Sequence, residues 1–97
     1  MNKKPIKQFL QDILPYSIYV DLADKLEVSK TKLSRLLSGK DLWSLDNVKL
    51  LLEVIQYSNS PADLINNTDI QTTITVHEMK QLMPYWENQL QKLHTQS

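Results

Sequence analysis

Apolar residues recur at spacings of three and four along most of this chain, and that periodicity limits the possible folds more than any other feature. The first such stripe is Ile6, Phe9, Leu10, Ile13 and Leu14. Residues at this spacing share one face of an α-helix, whereas half-buried strands require strict alternation. With one glycine and four prolines, the sequence also has little material for the tight turns of β-hairpins. We therefore predict an all-α protein.

The length and composition exclude several classes of protein. The 97 residues suffice for one small domain. The chain has no cysteine, so it can form neither disulfide bonds nor thiolate metal sites, which fits a reducing cytoplasm. No stretch approaches the ~20 apolar residues of a membrane span, and the apolar residues near the N-terminus are interrupted by polar ones, unlike a signal peptide. We expect a cytoplasmic protein that does not contact membranes.

Prolines and short polar residues mark the ends of five predicted helices within residues 1–66. Pro5 suits a first helical turn, and Pro15 ends that helix, which is predicted over about residues 5–14. The candidate N-caps of the next four helices are Ser17, Ser29, Ser44 (or Asp46) and Ser60. Gly39, the single glycine, stands where the third helix should end, as a left-handed residue just beyond it.

The sequence changes character after residue 66. Residues 70–76 alternate in a way that permits a short strand. Thr75 and Glu78 have the spacing of a capping box, so a last helix is predicted over about residues 76–93. Pro84 lies inside this helix and is expected to kink it or to split it in two.

The last predicted helix carries a narrow apolar stripe: Met79, Leu82, Met83, Trp86, Leu90 and Leu93. The stripe can either pack back onto the same domain or form the interface of a homodimer. Because five helices already make a closed small domain, an uncovered stripe of this length would be a sticky patch, and we favour self-association. The predicted organisation is a domain of residues 1–66 followed by a dimerisation segment of residues 67–97.

The charges are unevenly distributed although the formal net charge is zero. Residues 1–57 hold nine Lys and Arg against seven Asp and Glu, a net charge of +2, and residues 58–97 have a net charge of −2. Four of the basic residues follow one another closely: Lys30, Lys32, Arg35 and Lys40. The neutral total therefore conceals a basic part and an acidic part.

The third predicted helix has a polar face that suits DNA. Its leucines occupy one side, while Thr31, Arg35 and Ser38 lie opposite, flanked by Lys32 and Ser34. Arginine pairs with guanine edges, hydroxyls bond to bases, and lysine binds phosphates. This face is typical of a helix that lies in the major groove of DNA. An ordinary solvated helix face is the alternative interpretation.

The run from Leu22 to Lys40, followed by SLDNVKLLLEVI and SPADLI, resembles the lambda-repressor-like helix-turn-helix family (Cro/cI, XRE). The resemblance implies a five-helix domain that places its third helix in the major groove, usually as a dimer on a two-fold site. It implies contacts to base edges or nearby phosphates from Lys30, Thr31, Lys32 and Arg35. Ser34, on the same face of that helix, is included among the predicted DNA-binding residues. The resemblance implies contacts to the DNA backbone from Tyr19, Lys40 and Ser44.

Two features depart from that family or weaken DNA binding. The family commonly has glycine in the turn, where this chain has Glu27, and a left-handed backbone there costs a non-glycine residue about 1 kcal/mol. In addition, a net charge of +2 on residues 1–57 gives a monomer little attraction for phosphates. Dimerisation or tight readout of bases would have to compensate.

These observations predict a prokaryotic or phage transcriptional regulator, with a repressor as the simplest form, that binds double-stranded DNA as a homodimer. The alternative is an antitoxin or adaptor whose C-terminal helix binds a partner protein. An enzyme is not expected, because no phosphate loop, nucleophile elbow or carboxylate pair is present. His77 and His94 lack the spacing of a metal-ligand pair, and no cofactor is expected.

Overall fold

The computed structural model describes residues 3–95, with the side chains of all but residues 89, 90 and 92–95. This part of the chain contains seven α-helices and no strand, which confirms the predicted all-α class. The helices are α1 (Ile6–Ile13), α2 (Tyr16–Val20), α3 (Leu22–Lys25), α4 (Lys30–Ser38), α5 (Leu45–Ile55), α6 (Pro61–Asn67) and α7 (Val76–Thr95). Among the described residues, no helix combines the length and the hydropathy needed to cross a lipid bilayer.

Local signals in the sequence set most helix ends. The side-chain oxygens of Ser29, Ser44 and Ser60 each accept a hydrogen bond from the backbone N–H three residues later, as N-caps do. Pro61 then occupies the first position of α6. Gly39 ends α4 in the left-handed conformation, with φ at 79°. These predicted caps are confirmed.

The second predicted helix is divided in two, and Ser17 is not its N-cap. The first half, α2, begins at Tyr16 directly after Pro15, and Asp21 separates it from α3. Asp21 has φ −98° and ψ 11°, and its N–H donates to the carbonyl of Ile18, three residues earlier. A hydrogen bond over three residues is typical of a 3₁₀-helix, so the four-residue bonds of an α-helix are interrupted between α2 and α3.

One hydrophobic core connects all the regions of the fold. Its buried members include Leu10 from α1, Leu22 from α3, Leu36 from α4, Leu51 from α5 and Leu64 from α6. Trp43, in the loop between α4 and α5, is also completely buried. Its indole N–H donates to the carbonyl oxygen of Leu36 at 3.3 Å, which satisfies the one polar group of the ring. The prediction that Trp43 fills the loop against the core is confirmed.

The segment of residues 67–75 fastens the N-terminus to α6. The N–H of Lys4 donates to the carbonyl of Asn67, and the N–H of Asp69 donates to the carbonyl of Lys4. The Asp69 carboxylate accepts from the N–H of Ile6 at 2.6 Å. Pro5, at the N-terminal end of α1, makes no capping hydrogen bond with its side chain. The Asp69 carboxylate, sixty-three residues after Ile6, therefore serves as the cap of α1.

The same segment also fastens the loop that contains Trp43. The N–H of Trp43 donates to the carbonyl of Gln71 at 2.7 Å, and the N–H of Thr73 donates to the carbonyl of Trp43 at 3.1 Å. These contacts form isolated parallel bridges at Lys4–Thr68 and Trp43–Thr72. The strand that the alternation of residues 70–76 permitted is therefore absent from the described chain. The segment pairs at one position with Lys4 and at one position with Trp43, whereas a strand requires pairing along several successive residues.

Helix α7 begins at the predicted capping box and continues past its proline. The N–H of Glu78 donates to the Thr75 hydroxyl at 3.1 Å, and the Glu78 carboxylate accepts from the N–H of Thr75 at 3.0 Å. Pro84 is exposed within the helix, which is not split and extends to Thr95. Because proline has no backbone N–H, α7 lacks one helical hydrogen bond at Pro84, and the exposed ring does not disturb the core.

The apolar stripe of α7 packs on the chain's own core. Leu82 is fully buried, Met79 and Trp86 are half-buried, and the Trp86 indole N–H donates to the carbonyl of Tyr57 at 3.2 Å. Met83 remains 39% exposed. The expectation of an uncovered stripe was wrong for Leu82, because α5 and α6 leave an apolar surface that α7 covers. The side chains of Leu90 and Leu93 lie outside the described residues.

The predicted boundary near residue 66 does not separate two cores. Ile70 and Leu82, which belong to the segment of residues 67–97, are buried in the same cluster as Leu10 and Leu51. A dimer interface that requires Leu82 would have to remove this side chain from that cluster. The chain from Ile6 to Trp86 therefore shares one core.

Replacing Leu82 by Ala tests the packing of α7. We expect Leu82→Ala to lower the free energy of unfolding by about 2–5 kcal/mol, because it leaves a cavity under α7. Met83→Ala, at the adjacent and more exposed position, should lower it much less. Urea unfolding of both variants gives the comparison, and equal losses would contradict the packing described here.

Candidate nucleic-acid interface

Helix α4 divides into a packed side and a solvent side. Leu36 is buried, and Leu33 and Leu37 are half-buried against the core. On the opposite side, Thr31 and Arg35 are exposed, and 51% of the Arg35 side chain is accessible. This division is the amphipathic pattern that the helical spacing of the leucines predicted.

The solvent side of α4 forms a shallow cationic depression, which we call the cationic face. It is lined by Lys30, Thr31, Ser34, Arg35, Ser38 and Lys40. Three cations and three hydroxyl groups thus line one open surface without a carboxylate among them. Such a surface offers charge-assisted donors for phosphates together with short groups that reach base edges.

A second depression adjoins the cationic face on the side of α1. Tyr19 and Lys7 line it together with Lys30 and Ser34. The structure therefore brings Tyr19 next to α4, as the resemblance implied. Lys7 was not predicted, because its place beside α4 depends on how α1 packs against that helix. The only signal in the sequence was the basic character of the first residues.

Two predicted residues lie apart from these depressions. Ser44 is exposed, but its hydroxyl caps α5, where it accepts from the N–H of Asn47 at 3.2 Å and donates to the Asn47 side-chain oxygen at 2.9 Å. Lys32 is half-buried and turns toward Asp41, with Nζ 3.4 Å from Oδ2. The side chains of Ser44 and Lys32 are thus bound to Asn47 and Asp41 of the same chain.

Asp41 is a charged neighbour of the cationic face that the sequence analysis missed. Its Oδ2 accepts from Arg35 Nε at 2.9 Å and is also the atom that faces Lys32. The hydrogen bond from Arg35 holds the pKa of the Asp41 carboxyl below its ordinary value, with a further contribution from Lys32. The same bond raises the pKa of Arg35. Both groups are therefore charged at neutral pH.

The turn between α3 and α4 contains strained backbone at the predicted position. Glu27 has φ at 59°, in the left-handed region that favours glycine. The N–H of Val28 donates to the carbonyl of Ala23 at 3.0 Å, which closes the turn. Ala23 is buried where α3 approaches α4, as expected of a small residue at a helix crossing. Glu27 therefore has the left-handed backbone that costs a non-glycine residue about 1 kcal/mol.

No protein-family model, curated protein or solved structure matches this chain at a significant level. Among the described residues, no three His, Asp or Glu side chains come together as metal ligands would. The function is therefore inferred from the cationic face and its geometry.

Glu27→Gly tests the strain in the turn. We expect the free energy of unfolding to rise by about 1 kcal/mol, since glycine adopts the left-handed backbone without the clash of a Cβ. Asp24→Gly, inside α3, should lower it by about 0.5–1 kcal/mol, because that glycine loses chain entropy in a helix. Thermal unfolding compares the variants, and destabilisation by both would show that the Glu27 backbone is not strained.

Proposed function

We propose that this protein is a sequence-specific regulator that binds double-stranded DNA by inserting α4 into the major groove. The observation that carries the proposal is the exposure of Thr31 and Arg35 on a surface lined by cations and hydroxyl groups. An α-helix fits the width of the major groove, where arginine and hydroxyl side chains can read base edges. Lys30, Lys40 and Lys7 are the proposed phosphate ligands at its margins.

The turn geometry supports the same proposal. Helices α3 and α4 meet across residues 26–29, with a small buried residue on the first helix and the leucines of the second facing inward. This arrangement, together with the resemblance to the lambda-repressor-like family, favours helix-turn-helix DNA recognition. A repressor in a prokaryotic or phage cytoplasm is the simplest form of such a regulator.

The small net charge makes a homodimer part of the proposal. Each cation that pairs with a phosphate releases counterions, so the number of such pairs governs non-specific affinity. One protomer offers few free cations, because Asp41 already pairs with Arg35 and Lys32. Two protomers on a two-fold site would double the number of phosphate contacts. The protein-interaction alternative used the same stripe of α7 as the predicted dimer interface, and the burial of Leu82 takes that one side chain out of either surface.

Selection of bound duplexes from a random pool tests the proposal. We expect one enriched sequence, and a two-fold repeat within it if the protein binds as a dimer. Sedimentation of the complex with that duplex then gives the number of protomers. Recovery of no enriched sequence at low salt would contradict sequence-specific binding.

Arg35→Ala tests the reading of bases. We expect this variant to lose about 1–3 kcal/mol of affinity for the selected duplex and to lose preference at one base pair. Lys25→Ala removes a cation from a different surface of the domain, beside Ile18 and Glu53, and should leave that preference intact. Repeating the selection with each variant provides the measurement. An enriched sequence that Arg35→Ala leaves unchanged would refute the role of Arg35.

Lys40→Ala tests the contacts to phosphates. Because phosphate contacts carry no sequence information, the variant should bind all duplexes more weakly by a similar factor. The slope of the logarithm of affinity against the logarithm of salt concentration should fall by about 1 per protomer. Titrations at several salt concentrations measure it, with Lys25→Ala as the control. An unchanged slope would exclude Lys40 from the phosphate contacts.

A further inference from the structure

The carboxylate of Asp41 lies beside a surface that is proposed to meet a polyanion. One oxygen, Oδ2, is 2.9 Å from Arg35 Nε and 3.4 Å from Lys32 Nζ. The Asp41 side chain is 21% accessible, against 51% for Arg35 and 43% for Lys32. Two of the cations on α4 are therefore neutralised in part by a less exposed acid. For binding to phosphates alone, this acid is unfavourable.

The backbone fixes the position of Asp41 relative to Arg35. Gly39 turns the chain back at the end of α4, so that the N–H groups of Lys40 and Asp41 both donate to the carbonyl of Arg35, at 2.9 and 3.2 Å. Two residues later, Trp43 is buried in the core. The carboxylate is thus held next to Arg35 by main-chain bonds as well as by its own ion pair.

The bond from Asp41 favours one mode of recognition by Arg35. It uses the Nε–H, one of the five N–H groups of a guanidinium. The four N–H groups on the two Nη atoms have no partner among the described residues. Two Nη donors side by side match the O6 and N7 acceptors of guanine in the major groove. Fixing the plane of the guanidinium beforehand reduces the entropy lost on binding.

We propose that Asp41 is a specificity-determining positioning residue, which orients Arg35 toward a guanine and restrains Arg35 and Lys32 from binding the phosphates of unrelated sequences. The inference rests on the proposed function, and it adds the base that Arg35 reads and the residue that enforces this choice. Asp41 lowers affinity for DNA in general and raises discrimination at one base pair.

Asp41→Asn, Arg35→Ala and the double variant test this inference in a thermodynamic cycle. Dissociation constants are measured for the selected duplex, for duplexes changed at the base pair read by Arg35, and for duplexes changed at another contacted pair. We expect Asp41→Asn to reduce discrimination about tenfold at the first base pair only. Its salt slope should become steeper, because two cations become available to phosphates. In the Arg35→Ala background, Asp41→Asn should not change discrimination.

Asp24→Asn is the matched control, because it removes the same charge from the exposed surface of α3. It should alter affinity for all duplexes alike, and thermal unfolding establishes that every variant is folded. Discrimination that Asp41→Asn leaves unchanged, or reduces equally at both base pairs, would overturn the role of Asp41 alone. If Arg35→Ala changes no preference, Arg35 reads no base, and the inference fails while DNA binding stands. If the unaltered protein prefers no duplex, the proposed function fails and this inference fails with it.

Discussion

The burial of Trp43 is the constraint on which the rest of the structure depends. Its indole N–H bonds to the last turn of α4, and its backbone N–H and carbonyl bond to Gln71 and Thr73. One residue thus joins the end of α4, the loop that follows it, and the segment that leads to α7. A fully buried Trp contributes a large apolar area, and its one polar group is satisfied.

This arrangement anchors the loop beside the cationic face at both of its ends. The loop of residues 39–43 is fastened at one end by two N–H groups on the Arg35 carbonyl and at the other by Trp43. Asp41, between these two anchors, is therefore held beside Arg35. Recognition surfaces that are ordered before binding lose less entropy when they bind. Helix α7 packs against α5 and α6, and its Leu82 belongs to the same hydrophobic core.

The features that could be predicted from sequence are those that depend on a few neighbouring residues. The capping serines, the left-handed Gly39 and Glu27, and the capping box of Thr75 and Glu78 each act within one helical turn. The amphipathic division of α4 follows from helical spacing in the same way, which is why the exposure of Thr31 and Arg35 was predicted correctly.

The features that sequence patterns missed are contacts between distant or irregular segments. Asp69 caps α1 across most of the chain, and the stripe of α7 is covered because α5 and α6 leave room for Leu82. Asp41 lies beyond the end of α4, so a helical projection could not show that it turns back onto Arg35. Lys7 lies beside α4 only through the packing of α1. Each of these contacts requires a three-dimensional arrangement that periodicity does not specify.

The most direct test of the central claim is methylation protection of the selected duplex by the unaltered protein. Dimethyl sulfate methylates guanine N7 in the major groove and adenine N3 in the minor groove, so one experiment reports which groove is occupied. If α4 lies in the major groove with Arg35 on a guanine, N7 of that guanine is protected, and Arg35→Ala removes the protection at that position. Protection of adenine N3 alone, or of neither groove, would contradict the account.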